Sequence, residues 1–237
     1  MAEPTPTEAQ SQPSQTEAQI PTAVILRAPS VHNKVPPTQT HSGAAGVEAQ
    51  QKQTSSRQWQ APPLQWLERT WTVTHSTLPM WRKAKNVRIT YKLLPRATPT
   101  SPLLIDDEVC SEPTEKTWMP QPKSIRGVDT PDDSVSGGAA WNWRGRGWLK
   151  VASSHWEILG WGEFVDGEGR KEAWVVTWFE KSMFTPPGVD VYSERKDGVG
   201  GKLLEEIRRV IAEGAAGEEV RKLCEGEELR GVMIDDA

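Results

Sequence analysis

Apolar and polar positions alternate with a period of two through much of the middle of this chain. In NVRITYKL, Val87, Ile89, Tyr91 and Leu93 share one face and Arg88, Thr90 and Lys92 the other, the pattern of a half-buried strand. Thr70–His75 reads the same way, with Trp71, Val73 and His75 on one face and three threonines on the other. Beyond Trp141 come four short runs rich in aromatic and β-branched residues. Trp148, Leu149 and Val151 mark the first; Trp156, Ile158, Leu159 and Trp161 the second; Trp174–Phe179 the third; Val189, Val191 and Tyr192 the fourth. Gly, Pro, Asp or Ser-Ser breaks each from the next. Leu103–Val109 and Ser124–Asp129 are weaker strand candidates and bring the total to eight. Such runs predict an antiparallel meander, and consecutive hairpins close most simply into an up-and-down barrel with no free edge.

The period changes after Lys196. Leu203, Leu204, Ile207, Val210 and Ile211 fall on one stripe of a helix, and Gly214 supplies its stop. The expected fold is therefore all-β dominated, an eight-stranded antiparallel β-barrel with a C-terminal α-helix.

Composition changes this picture mainly at the ends. Residues 1–57 are rich in Pro, Thr, Ser, Gln and Ala, and TEAQ recurs at Thr7–Gln10 and Thr16–Gln19. Such a segment buries too little apolar surface to offset its ordering entropy, so it is expected to be a disordered arm, with only Ile20–Leu26 able to form a local element. The expected organisation is an arm over 1–57, a barrel over 58–196, a helix over 197–214 packed on the barrel, and an acidic tail over 215–237, in which Gly217–Leu229 could form a short helix and the last residues fray.

The N-terminus lacks the basic start and apolar block of a secretory signal, and no run approaches the roughly 20 apolar residues of a membrane span. A cytoplasmic protein is expected. Cys110 and Cys224 match no metal or redox spacing and read as free thiols. A net charge of −4 gives no general attraction to nucleic acid. With four histidines, two of them in the arm, no multi-His metal site is expected, and no cofactor. No nucleophile elbow, phosphate loop or Ser–His–Asp spacing occurs.

From about Leu64 to Gly214 the chain resembles the lipocalins, a family of calycin barrels, and is most similar to the bacterial and apolipoprotein D-like branch. Arg69, Thr70 and Trp71 stand where the family has Gly-x-Trp on its first strand, with the Gly absent. Arg195 in VDVYSERK sits where the family places an Arg that stacks over that Trp at the closed end. NVRITYKL resembles the second strand, WLKVASSHWEILGWG the fifth and sixth, and Leu203–Ile211 the helix on the barrel wall. The resemblance implies a carrier of a small hydrophobic molecule of fatty-acid or terpenoid class. It makes Trp71 and Arg195 the barrel base and the loop holding Arg82 and Lys83 the overhang at the mouth, where those charges would meet an acidic headgroup.

Strand alternation gives an inward set of Val73, His75, Ile89, Tyr91, Trp148, Trp156, Ile158, Val176 and Trp178. Of these, His75, Ile89, Tyr91, Trp148, Trp156 and Trp178 are the candidate ligand-binding residues: rings around sparse polar groups make an apolar pocket. A small barrel can instead fill solid, leaving a protein-interaction module. A barrel enzyme of isomerase or dehydratase type, using His75 with Tyr91 and Glu180 for acid–base work, is the other alternative.

Overall fold

The computed structural model describes residues 20–30, 59–115, 123–135, 137–226 and 228–235. The expected barrel is present. Strands β1 (Thr70–Ser76), β2 (Ala84–Leu93), β3 (Ile105–Pro113), β4 (Lys123–Pro131), β5 (Ala140–Gly145), β6 (Ser153–Val165), β7 (Lys171–Phe179) and β8 (Gly188–Ser193) pair in chain order. Antiparallel pairing of β1 with both β2 and β8 closes the ring. The two weak candidates are real strands, β3 and β4. The run Trp148–Val151 is not a strand: Gly147, at φ +62°, opens a single 3-10 turn over Gly147–Val151, and the fifth strand is the preceding β5.

One end of the barrel is plugged. Helix α1 (Leu64–Leu67) crosses it and sets Trp66 against Trp71 and Trp161, with ring centroids 5.4 and 4.8 Å apart. Trp71 Nε1 donates to Leu67 O at 3.1 Å and Trp161 Nε1 to Gln60 O at 2.6 Å. The cation over Trp71 is Arg69, 5.2 Å from its ring centroid and 4.8 Å from that of Trp66. Arg195, expected there, instead pairs with Asp197. It follows the last residue of β8 and turns outward, whereas Arg69 immediately precedes β1 and is tied down by Glu194, at 2.9 Å.

Helix α2 (Gly201–Ala212) lays Leu203, Ile207, Val210 and Ile211 on the outer face of the barrel, against Leu159, Trp174, Val176, Trp178, Val189 and Val191. Helix α3 (Glu218–Leu223) adds Val220 to the same cluster. Strands β7 and β8 are thus buried on both faces.

Both ends of the chain depart from expectation. Residues 20–30 are not a free arm but a strap across the outside of β6. Arg27 N donates to Leu159 O (2.8 Å) and Glu163 N to Pro21 O (2.9 Å). Val24 and Leu26 are buried in the outer cluster. Gly160 makes room for the strap, since a Cβ there would lie 2.2 Å from Leu26 Cδ2. Arg27 is ion-paired at 2.6 Å with the fully buried Glu157, which also accepts from Ser30 N and Oγ. The rest of the expected arm lies outside the described residues.

In the acidic tail α3 lies within the short helix expected over Gly217–Leu229, but residues 228–235, expected to fray, are placed against the barrel. A ninth strand, β9 (Arg230–Gly231), pairs with His75 and Ser76 of β1 where β2 diverges. Val232 N donates to Thr74 O at 2.8 Å, Asn86 N to Met233 O at 2.9 Å, and Val232 enters the inner core. The tail's few apolar residues seal the seam between β1 and β2, and that enclosure is what orders it.

Candidate functional site

Away from the plugged end the interior is open. A cavity of about 600 Å³ lies between the walls of β2–β8 and the connections at the other end, within the size range of small-molecule sites. Its wall is built by alternation. Ile89 and Tyr91 come from β2, Asp107 and Val109 from β3, Ile125 from β4, Trp143 from β5, Trp156 from β6, Phe179 from β7, and Asp190 and Tyr192 from β8. Trp156 is stacked between Tyr91 (5.5 Å, 7° between planes) and Trp141 (4.5 Å). Trp143 lies over Gly127, where a Cβ would come within 2.1 Å of its indole nitrogen. The absence of a side chain there lets the indole turn into the barrel. Around the rim stand Met80, Trp148, Val151 and Phe184, all exposed.

The ionisable carboxyl groups in this lining, Asp107 and Asp190, stand without a basic residue among the described residues of the wall. Asp190 is fully buried; one carboxyl oxygen accepts from Ser76 Oγ and the other from Trp81 Nε1 at 3.2 Å. Burial pushes its pKa up to about 7, against the pull of those bonds and of Arg82. Asp107 sits one third of the way along β3 from the plugged end, opposite Tyr91 and Gly127. It is 7% exposed, and its Oδ1 has no hydrogen-bond partner. Burial, then the charges of Asp129 and Asp106, hold its carboxyl far above the usual range. Asp129, fully buried beside it on β4, accepts from Trp156 Nε1 at 2.8 Å and is pushed up by burial to about 7. The Tyr192 phenol lies near Tyr91 without a hydrogen bond of good geometry. Among the described residues no Lys, Arg or His lines the cavity.

Of the six residues expected to bind ligand, the structure brings Ile89, Tyr91 and Trp156 together on the wall and sets Trp148 at the rim, 86% exposed. His75 and Trp178 point the other way. A bulge at Thr74, between the Val73–Tyr192 and His75–Val191 pairs, shifts the phase of β1 by one residue. Ser76 therefore faces inward, to Asp190, and His75 faces β9 and α2. Burial, with a smaller contribution from Arg208, lowers the His75 pKa to about 4. On β7 the inward residues are Ala173, Val175 and Phe179; Val176 and Trp178 belong to the outer cluster under α2. A strand apolar on both faces carries no phase that alternation can read.

Arg82 is not at the mouth: it donates to Ser76 O (2.8 Å) and Glu228 O (3.0 Å), holding the C-terminal segment against β1. Lys83 is exposed and outside the cavity lining. With His75 outside the barrel, the proposed grouping of His75, Tyr91 and Glu180 does not form. Sequence reasoning missed Asp107 and Asp190 as lining residues. Their signal was a carboxylate at an inward position of a strand, Asp107 opposite Tyr91 and Asp190 two before Tyr192.

No family model matches the chain, and no curated protein matches it by sequence. Among solved structures it is similar to apocrustacyanin C2, with a TM-score of 0.45 at 10% identity over 92% of this chain and 94% of that one. It is similar to lobster apocrustacyanin A1, at 0.42 and 10% identity over the same shares. The siderocalin Ex-FABP gives 0.36 at 12% identity, over 72% of this chain and 95% of that one.

Proposed function

We propose that this protein is a lipocalin-like carrier that binds one small, largely apolar molecule inside the barrel. The observation that carries the reading is the cavity of about 600 Å³, walled by aromatic and aliphatic side chains and open at one end. Apolar surface removed from water contributes roughly 25 cal/mol per Å², and the rings of Tyr91, Trp143, Trp156 and Phe179 supply much of that surface along the wall. The cavity also weighs against an interaction module built on a solid barrel.

A fatty-acid headgroup finds no cation on this wall, so an acid of that class would have to keep its carboxylate at the rim; a neutral terpenoid meets no such conflict. Two unpaired cysteines support a reducing compartment such as the cytoplasm. No described helix is long and apolar enough to cross a membrane.

Native mass spectrometry of the purified protein should show a mass increment of a few hundred daltons that organic extraction removes. Refilling the extracted protein with a neutral apolar compound should quench tryptophan emission, and Trp156→Ala should weaken that uptake about tenfold or more. Extracted protein that takes up nothing at micromolar concentration would refute the carrier reading.

A further inference from the structure

We propose that the barrel takes a hydrophobic amine, seated with its ammonium group on the carboxylate of Asp107 and its apolar body among the rings above. The inference rests on the carrier reading and adds to it the charge of the ligand. Asp107 lines the cavity, is more than nine-tenths buried, and keeps one carboxyl oxygen without a partner. Buried polar atoms are almost always satisfied, and an unsatisfied one on the wall of a ligand-sized space is a place where a ligand atom completes the bond. The chemistry of that atom is fixed by its surroundings. The titratable groups acting on Asp107 from the facing strands are an acid and two phenols, Asp129 on β4, Tyr91 on β2 and Tyr192 on β8, and Asp190 on β8 lines the same cavity. The preceding residue on β3, Asp106, is paired with Arg146, at 2.8 Å. An anionic ligand would be repelled by this group. A cation is attracted by it.

Asp190 differs from Asp107 in the way that matters. Both of its oxygens are already taken, by Ser76 and Trp81, so it holds the mouth-side end of β1 and β8 rather than the ligand. In the empty cavity burial, and then the neighbouring Asp129, oppose the charge of Asp107 and favour its protonated form. An alkylammonium ion arriving from water ionises it: the O–H bond breaks, the proton leaves to solvent, and an N–H···O bond to the carboxylate replaces it. Uptake of one amine therefore releases one proton, and affinity rises with pH until the amine itself loses its charge.

Nonylamine, nonanol and nonanoate have the same apolar length and different heads, and their titration against the extracted full-length protein separates the possibilities. Nonylamine is expected to bind about tenfold or more tightly than nonanol, and nonanoate more weakly than either. Calorimetry in two buffers of different ionisation enthalpy should show about one proton released per nonylamine and none per nonanol. Asp107→Asn should remove the preference for nonylamine and leave nonanol binding within about threefold. Should the variant fail to fold, the proton count on the unmodified protein still decides. If nonanol and nonanoate bind as well as nonylamine, with no proton released, the amine assignment is wrong while the carrier reading survives. If none of the three binds, both are wrong.

Discussion

The two halves of the barrel interior are made from the same materials and treat charge in opposite ways. At the plugged end three tryptophans meet at tilted angles beside a guanidinium, and Arg69 is itself paired with Glu194. At the open end Tyr91, Trp143 and Trp156 surround carboxyl groups that no Lys or Arg of the described residues reaches within the cavity. The first arrangement is closed in itself and stabilises the fold. The second leaves an acid in an apolar wall, which costs stability. The aromatic content that made the chain conspicuous therefore says little about function; the charge beside each ring says more.

Substitutions at the two ends should separate accordingly. Trp71→Ala removes a fully buried ring from the plug and should destabilise the protein by about 3–5 kcal/mol in urea unfolding. Ile125→Trp, on the cavity wall, should change stability by less than about 1.5 kcal/mol while filling the ligand space. Comparable losses would mean that the open half is packed as tightly as the plug. The strap gives the next largest effect. Arg27→Ala leaves Glu157 buried without its cation and should cost about 3 kcal/mol, a result that a dispensable N-terminal arm would not give.

The pH dependence sharpens the comparison further. Asp190 has its pKa raised by burial to about 7, so between about pH 4 and 7 the folded protein holds a proton that the unfolded chain has released. Its contribution to stability is full below pH 4 and is lost as the pH rises through 7. Asp129, at about 7, adds in the same sense. His75, lowered to about 4 by burial and Arg208, acts oppositely: stability is lost as the pH falls from 6.5 to 4. Asp190→Asn should therefore flatten the fall in stability between pH 4 and 7 relative to the unmodified protein, measured by urea midpoints at each pH. An unchanged slope would place a charged Asp190 in the folded state. The smallest effect is expected from Arg69→Ala, about 0.5–2 kcal/mol from the lost cation–π contacts.

The barrel was legible in the sequence because β2, with polar residues on one face only, carries an unambiguous alternation and because α2 changes the period. The site was half legible for the same reason. Ile89 and Tyr91 lie on that well-phased strand. Trp178 lies on β7, whose two faces are both apolar since α2 covers the outer one, and the phase had to be guessed. His75 was assigned by an alternation that the bulge at Thr74 interrupts, and the bulge lies in the pairing of β1 with β8, more than 110 residues away in sequence. Leu26 and Val24 were readable as apolar, but their place on the barrel depends on Gly160 and Glu157, which local composition does not reveal.

The central claim is that the open half of the barrel is ligand space. Fluorescence titration with N-phenyl-1-naphthylamine, uncharged at pH 7, tests it most directly when run on the extracted protein and on Ile125→Trp, with melting curves confirming that both are folded. Saturable one-to-one uptake by the unmodified protein, reduced about tenfold or more in Ile125→Trp, is the predicted result. Equal uptake by both proteins would place the probe elsewhere on the molecule, and no uptake by either would show that the interior does not admit a ligand.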